Sequence, residues 1–102
     1  MDYQIIWDDE ALAELTRIIG YIASDNPTAA RKFGERILER IKQTGAFPRL
    51  QKIYPKLHRE DVREIPMPPY RIIYHVKDAE RRIRILKLWH GSREEPQRLP
   101  EL

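Results

Sequence analysis

The chain contains no cysteine, which excludes a disulfide scaffold, a thiolate zinc site and cysteine catalysis and suits a cytoplasmic address. No apolar run approaches the roughly 20 residues of a membrane span. The opening Met1-Asp2-Tyr3-Gln4 also lacks the basic-then-apolar pattern of a secretory signal. A phosphate-cradling glycine loop and a carboxylate cluster for a hard cation are both missing. His58, His75 and His90 stand without paired ligand spacing, so neither zinc nor any other cofactor is expected. Repeats, low-complexity stretches and internal linkers are absent too. Cations are scarce at the start: residues 1–30 hold Arg17 alone against six acidic side chains, a net of −5.

What is present is one small domain's worth of chain, expected to span residues 1–102. Of its residues 41% are hydrophobic and 34% charged, enough apolar material for a single core. Residues 31–102 carry a net +8, which points to an acidic partner, either nucleic acid or an acidic protein segment.

Tyr3, Ile5 and Trp7 alternate, predicting a short strand over Tyr3–Trp7. Asp8 or Asp9 then caps a helix whose apolar stripe is Ala11, Leu12, Leu15, Ile18, Ile19 and Ile22. It stops in Ser24-Asp25-Asn26-Pro27, where Asn26 suits an N-cap and Pro27 the first position of a second helix. That helix is predicted from Pro27 to about Gln43, with Ala30, Phe33, Ile37 and Ile41 inward, joined by Gly34 and Leu38, and with Gly45 and Pro48 ending it. The two helices form an antiparallel hairpin. Residues 44–57 are expected to be a loop anchored in the core by Phe47, Leu50 and Ile53. Strands follow near Asp61–Ile65, over Tyr70–Val76 and over Arg82–His90, delimited by prolines and by a turn at Lys77–Arg81. The fold class is α+β: a strand, a helix hairpin, then a three-stranded antiparallel meander with the helices on one face.

The apolar pattern of the last strands is irregular. Ile72 and Ile73 are neighbours, as are Ile85 and Leu86, and continued alternation would turn Leu86 and Leu88 away from Ile83 and Ile85. Either a bulge shifts the register, or the second face carries apolar surface awaiting a partner; a partner is the favoured reading.

Functional residue types gather on the same strands: Arg63, Arg71, Tyr74, His75, Lys87, His90 and Arg93. Arginines with one histidine could serve phosphoryl transfer, the arginines on phosphate charge and the histidine moving a proton. Chemistry alone favours a plainer role, that of ordinary strand and strand-end residues, with Arg93 tying the C-terminal segment to the sheet. Lys32, Arg36 and Arg40 make a basic row on the second helix, balanced by Glu35 and Glu39.

Five segments, in order, carry a resemblance. They are Tyr21 to Ala30, then Phe47-Pro48-Arg49-Leu50, Val62-Arg63-Glu64, Tyr70-Arg71-Ile72-Ile73-Tyr74 and Leu88-Trp89-His90-Gly91-Ser92-Arg93. Together they resemble the RelE/ParE superfamily of toxins from bacterial type II toxin–antitoxin systems, over nearly the whole chain. Gln51 stands where such toxins often carry glycine. Two activities occur in the superfamily. RelE-like members resemble ribosome-dependent mRNA endonucleases, whose matching arginines here would be Arg71 and Arg93; a different nuclease variant could set Arg71 and Arg93 on the phosphate with Glu64 or His90 as proton carrier. The tyrosine that RelE-like sites place after the final arginine is missing from Glu94-Glu95-Pro96-Gln97-Arg98-Leu99. Asp25-Asn26-Pro27 and the Trp-His-Gly-x-Arg ending look more like ParE-type toxins, which bind DNA gyrase. The resemblance therefore implies a gyrase inhibitor neutralised by a cognate antitoxin whose C-terminal segment lies over the sheet. Arg63, Arg71, His90 and Arg93 would make the charged contacts and Leu86, Leu88 and Trp89 the apolar ones. A RelE-like nuclease acting on ribosome-bound mRNA and an inactive, binding-only relative are the alternatives.

Overall fold

Asn26 fixes the corner on which the architecture turns. Its side chain accepts a hydrogen bond from the Ala29 backbone N–H at 3.0 Å, and Pro27 occupies the position where a missing N–H costs nothing. In the computed structural model, which describes residues 2–93, 95, 96 and 98–102, this corner joins α1 (Asp9–Asp25) to α2 (Pro27–Ala46). Five strands accompany them: β1 (Gln4–Trp7), β2 (Lys52–Ile53), β3 (Val62–Met67), β4 (Tyr70–Lys77) and β5 (Arg82–His90). They form one sheet in the order β1-β5-β4-β3-β2. The β3-β4-β5 meander is antiparallel as expected, while β1 runs parallel to β5, so the sheet is mixed. No helix among the described residues is long and apolar enough to cross a membrane.

The α+β architecture and the helix hairpin on one sheet face agree with the sequence reading; several details differ. The second helix runs on to Ala46, because Gly45 is not a stop. A Cβ there would lie 3.0 Å from the Tyr3 carbonyl oxygen, so glycine lets β1 pass close to the last helical turn. Tyr3 N–H closes that contact by donating to the Gly45 carbonyl at 2.9 Å. Leu12 and Leu38, assigned to the inner stripes, are exposed at the edges of their helices. Lys52–Ile53, expected in a loop, pairs with Arg63 and Glu64. Pro66 lies inside β3 rather than at its end, where β2 has already stopped and β3 is an edge strand, a place a proline tolerates.

The largest correction concerns β5. Its register against β4 shifts between Ile73 and Tyr74: Tyr74 pairs with Ile85 but Ile73 with Lys87, leaving Leu86 as an extra residue. This bulge restores the phase. Ile83, Ile85 and Leu88 all join the core beneath the helices, while Leu86 enters a second cluster with Tyr54, Val62, Ile73 and Trp89. Leu88 therefore does not share a face with Leu86. The second face is not an open apolar surface either: Leu86 and Trp89 are buried, and Leu99 of the chain's own C-terminal segment packs on the cluster.

Candidate functional site

On the second face, β3 and β4 bring Glu64 and Arg71 together. The Arg71 guanidinium donates from Nε to Glu64 Oε2 at 3.0 Å and from Nη2 to Glu64 Oε1, a two-point pair whose acid is buried. Its Nη1 donates to Glu95 at 3.2 Å, and its centre lies 4.7 Å from the Trp89 ring centroid. Glu95 in turn accepts from the Tyr54 hydroxyl at 3.0 Å, and Tyr54 meets Trp89 edge-on at 6.4 Å. The electrostatics are mutually consistent. Glu64 above all raises the Arg71 pKa, the Tyr54 hydroxyl and then Arg71 hold the Glu95 carboxyl below its usual range, and burial with the Glu95 bond pushes Tyr54 up to about 12. Lys56 and Arg84 donate to the carbonyls of Pro96 and Glu101, which completes the attachment of the C-terminal segment across this face.

The remaining site candidates lie nearby but do not converge. The His90 ring accepts the Ser92 N–H at 3.1 Å and meets Tyr70 edge-on at 5.4 Å, while Arg93 is exposed. Gly91 donates to the Pro69 carbonyl at 2.7 Å, and a Cβ there would lie 3.2 Å from that oxygen, so this strand end is also held by close backbone approach. Arg63 is directed at the chain itself, to the carbonyls of Gln51 (2.8 Å), Glu60 (3.0 Å) and Arg49 (3.2 Å). His75 holds Asp61 at 2.9 Å through Nε2, and its buried Nδ1 has no partner. Arg59 first and His75 second keep the Asp61 carboxyl low. Among the described residues no three His, Cys, Asp or Glu side chains are placed to hold a metal ion.

Arg71 is thus clamped by two carboxylates and an indole, which leaves it little capacity to take a phosphate as well. Glu64, its buried partner, is committed to the same pair. Both were legible as candidates; Glu95 and Tyr54, which close the cluster, were not. Glu95 sits beyond the last strand with no periodic signal, and Tyr54 falls in the stretch expected to be a loop.

A second polar cluster holds the turn after α2. Arg49 pairs with both Glu60 and Asp78, the latter at 2.8 Å, and Asp78 also accepts from the Tyr3 hydroxyl at 2.6 Å. Tyr74, buried and with its pKa raised to about 12 by that burial, donates to the Pro48 carbonyl at 2.7 Å. Yet Phe47 and Leu50, expected to be core anchors, are 65% and 63% exposed, and Ile53 is exposed with them. The apolar residue that does anchor this stretch is Tyr54.

A helix hairpin on one face of a five-stranded sheet is shared with solved toxin structures. The chromosomal ParDE toxin–antitoxin system of P. aeruginosa superposes with a TM-score of 0.69 at 22% identity, over 86% of this chain and 95% of that one. The isolated E. coli RelE toxin gives 0.61 at 20% identity, over 91% and 88%. These likenesses show the fold. Sequence gives the family: residues 5–95 match the model described as the ParE toxin of the type II toxin–antitoxin system parDE. Toxin RelE2 of Caulobacter vibrioides is 31% identical over 90 residues, 88% of this chain and 97% of that protein. The chain belongs to this toxin family, within the RelE/ParE superfamily.

Proposed function

We propose that the chain is a ParE-like toxin that inhibits DNA gyrase by binding it and is neutralised by a cognate antitoxin in the cytoplasm. The observation that carries this reading is the closure of Arg71 by Glu64, Glu95 and Trp89. A nuclease of the RelE type would need that arginine on the scissile phosphate and Glu64 or His90 poised beside it. Here Arg71 and Glu64 neutralise each other, His90 accepts from Ser92, and residues 94–99 hold no tyrosine. The partner reading draws on the relatives, one of which is the intact E. coli RelBE toxin–antitoxin complex, with a TM-score of 0.60 over 89% of this chain and 99% of that one. An antitoxin segment laid over the second sheet face would meet the C-terminal segment from Glu95 onward before it met Leu86 or Trp89. His90 and Arg93, at the open end of β5, are the contact residues left to it there.

The second reading, a ribosome-dependent mRNA endonuclease, is favoured by the likeness to Toxin RelE2. One pair of assays separates them. The purified protein is expected to block supercoiling by gyrase and to leave ribosome-bound mRNA intact. Cleavage of mRNA in the ribosome, lost in Arg71→Ala, would transfer the function to the second reading. Failure to arrest growth without the antitoxin would mark a binding-only relative.

A further inference from the structure

Cations of the sheet and its loops are committed to carboxylates: Arg49, Arg59, Arg71, Arg84 and Lys87 all hold them. The basic row of α2 differs. Lys32 and Arg36 are exposed and Arg40 is half-buried, and among the described residues none of the three has an ion-pair partner. Glu35, which the sequence sets between them, is taken by Arg31 at 3.0 Å. The three cations stand on successive turns, about 6 Å apart along the helix axis. Arg36 and Arg40 line a hollow with Met67 and Pro68 of the β3–β4 turn. Beside it runs a line of rings: Arg36 lies 6.0 Å from the Phe33 centroid, Phe33 lies 5.2 Å from Tyr70, and Tyr70 lies 5.4 Å from His90.

We infer that Lys32, Arg36 and Arg40 bind the phosphate backbone of double-stranded DNA without regard to its sequence. The inference rests on the proposed reading of the chain as a gyrase inhibitor, which brings the toxin to the duplex on which gyrase acts. Three observations select this occupant. A protein partner, antitoxin and gyrase alike, needs apolar groups at the centre of its contact. Phe33 and Met67, the large apolar side chains among these cations, are 4% and 5% exposed, so the hollow offers a protein little beyond Pro68. A single strand needs open ring faces on which its bases stack. Here Phe33 is buried and Tyr70 is held between Phe33 and the edge-on ring of His90. A second copy would have to answer with acids, and the acidic start of α1 is already committed, Asp8 to Arg84 and both Glu10 and Glu14 to Lys87. A duplex backbone asks only for unpaired cations in a row, and arginine suits phosphate. Glu39 shares the hollow with Arg36 and Arg40 and opposes a polyanion there, which supplies a variant of opposite sign.

The test is binding of the full chain to a fluorescent DNA duplex of about 30 base pairs and mixed sequence, followed by anisotropy from about 50 to 200 mM salt. Three phosphate contacts should make log affinity fall with log salt at a slope of about −2.7. Lys32→Gln/Arg36→Gln/Arg40→Gln should weaken binding at least about tenfold at 50 mM salt and flatten the slope to less than about 1 in magnitude. Glu39→Gln should tighten it about twofold. A control, Arg31→Gln/Arg59→Gln/Arg82→Gln, removes the same charge from exposed cations that hold carboxylates, and should stay within about threefold of wild type. Circular dichroism should be unchanged in every variant. An unchanged slope in the triple variant would overturn the inference, as would an equal loss in the control. So would tighter binding to single-stranded DNA or RNA than to the duplex, or loss of antitoxin binding instead of DNA binding. A supercoiling assay separates the inference from the reading beneath it. Duplex binding with no effect on gyrase would sink the gyrase reading and leave the DNA-binding row standing. Inhibition of gyrase by a wild type that does not bind the duplex would sink the row and leave the gyrase reading.

Discussion

The turn at residues 47–51 and the described residues of the C-terminal segment from Glu95 onward both lack regular secondary structure, and both are held by side-chain donors of distant residues. They treat their hydrophobic side chains in opposite ways. In the C-terminal segment, Tyr54, Arg71, Lys56 and Arg84 hold a carboxylate and two carbonyls while Leu99 packs onto the Trp89 cluster. In the turn, Tyr74 and Arg63 hold three carbonyls while Phe47 and Leu50 face water. The first arrangement removes apolar area from water and contributes to stability. The second contributes its hydrogen bonds to rigidity and leaves the apolar area available to another molecule. Substitutions at the two places should therefore divide cleanly between stability and binding.

The largest effect is expected beneath the C-terminal segment. Trp89→Ala removes the indole that covers Arg71 and supports Tyr54, and should cost about 3–5 kcal/mol in denaturant unfolding, as large aromatic truncations in cores do. Glu64→Gln comes next. It keeps the side chain's size but leaves the part-exposed Arg71 with an uncharged partner at Glu64's buried position and only Glu95 to balance it, and should cost about 2 kcal/mol. A loss below about 1 kcal/mol would mean that Glu95 alone satisfies Arg71, and would make the C-terminal segment the main partner of that arginine.

The comparison also explains what the sequence could convey. The core beneath the helices was legible because Ala30, Phe33, Ile37 and Ile41 repeat with helical period, and the Asn26-Pro27 corner because its two residues each have one dominant physical role. The bulge at Leu86 was visible as a broken alternation, but period alone could not tell a shifted register from a bare face. That choice depended on Leu99, thirteen positions further on. Arg71 and Glu64 were legible as charged strand residues; that they meet depends on the β3–β4 register. Phe47 and Leu50 were misjudged for a simple reason. A hydrophobic side chain in a loop does not say which way it points, and here the direction is set by Arg63 and Tyr74 on distant strands.

A smaller effect should appear with acid. The Glu95 carboxyl is held below the ordinary carboxylate range, first by the Tyr54 hydroxyl and then by Arg71. Its folded pKa lies below its unfolded one, so its contribution is complete above the ordinary value of about 4.3 and disappears as the pH falls through the lower folded value. Glu95 is partly exposed, and solvent screening keeps this contribution under about 1 kcal/mol. In a Trp7→Phe background, Trp89 fluorescence should report a local acid transition below about pH 4. Glu95→Gln should remove that transition and leave Trp89 in its low-pH state at neutral pH. An identical acid profile in the variant would assign the transition to other depressed carboxyls, such as Asp61.

The smallest expected change in stability is the one that sharpens the contrast most. Phe47→Ser/Leu50→Ser should move the unfolding free energy by no more than about 1 kcal/mol, because both side chains are already about two-thirds in water and no hydrogen bond of the turn passes through them. Leu99→Ser, a comparable loss of apolar surface on the covered face, should destabilise measurably more. If the two variants are equally destabilised, the turn's side chains contribute to the fold after all and the division between the segments is lost. If they differ as expected, residues 47 and 50 have no structural reason to be apolar. Their chemistry then has to be explained by something outside the chain.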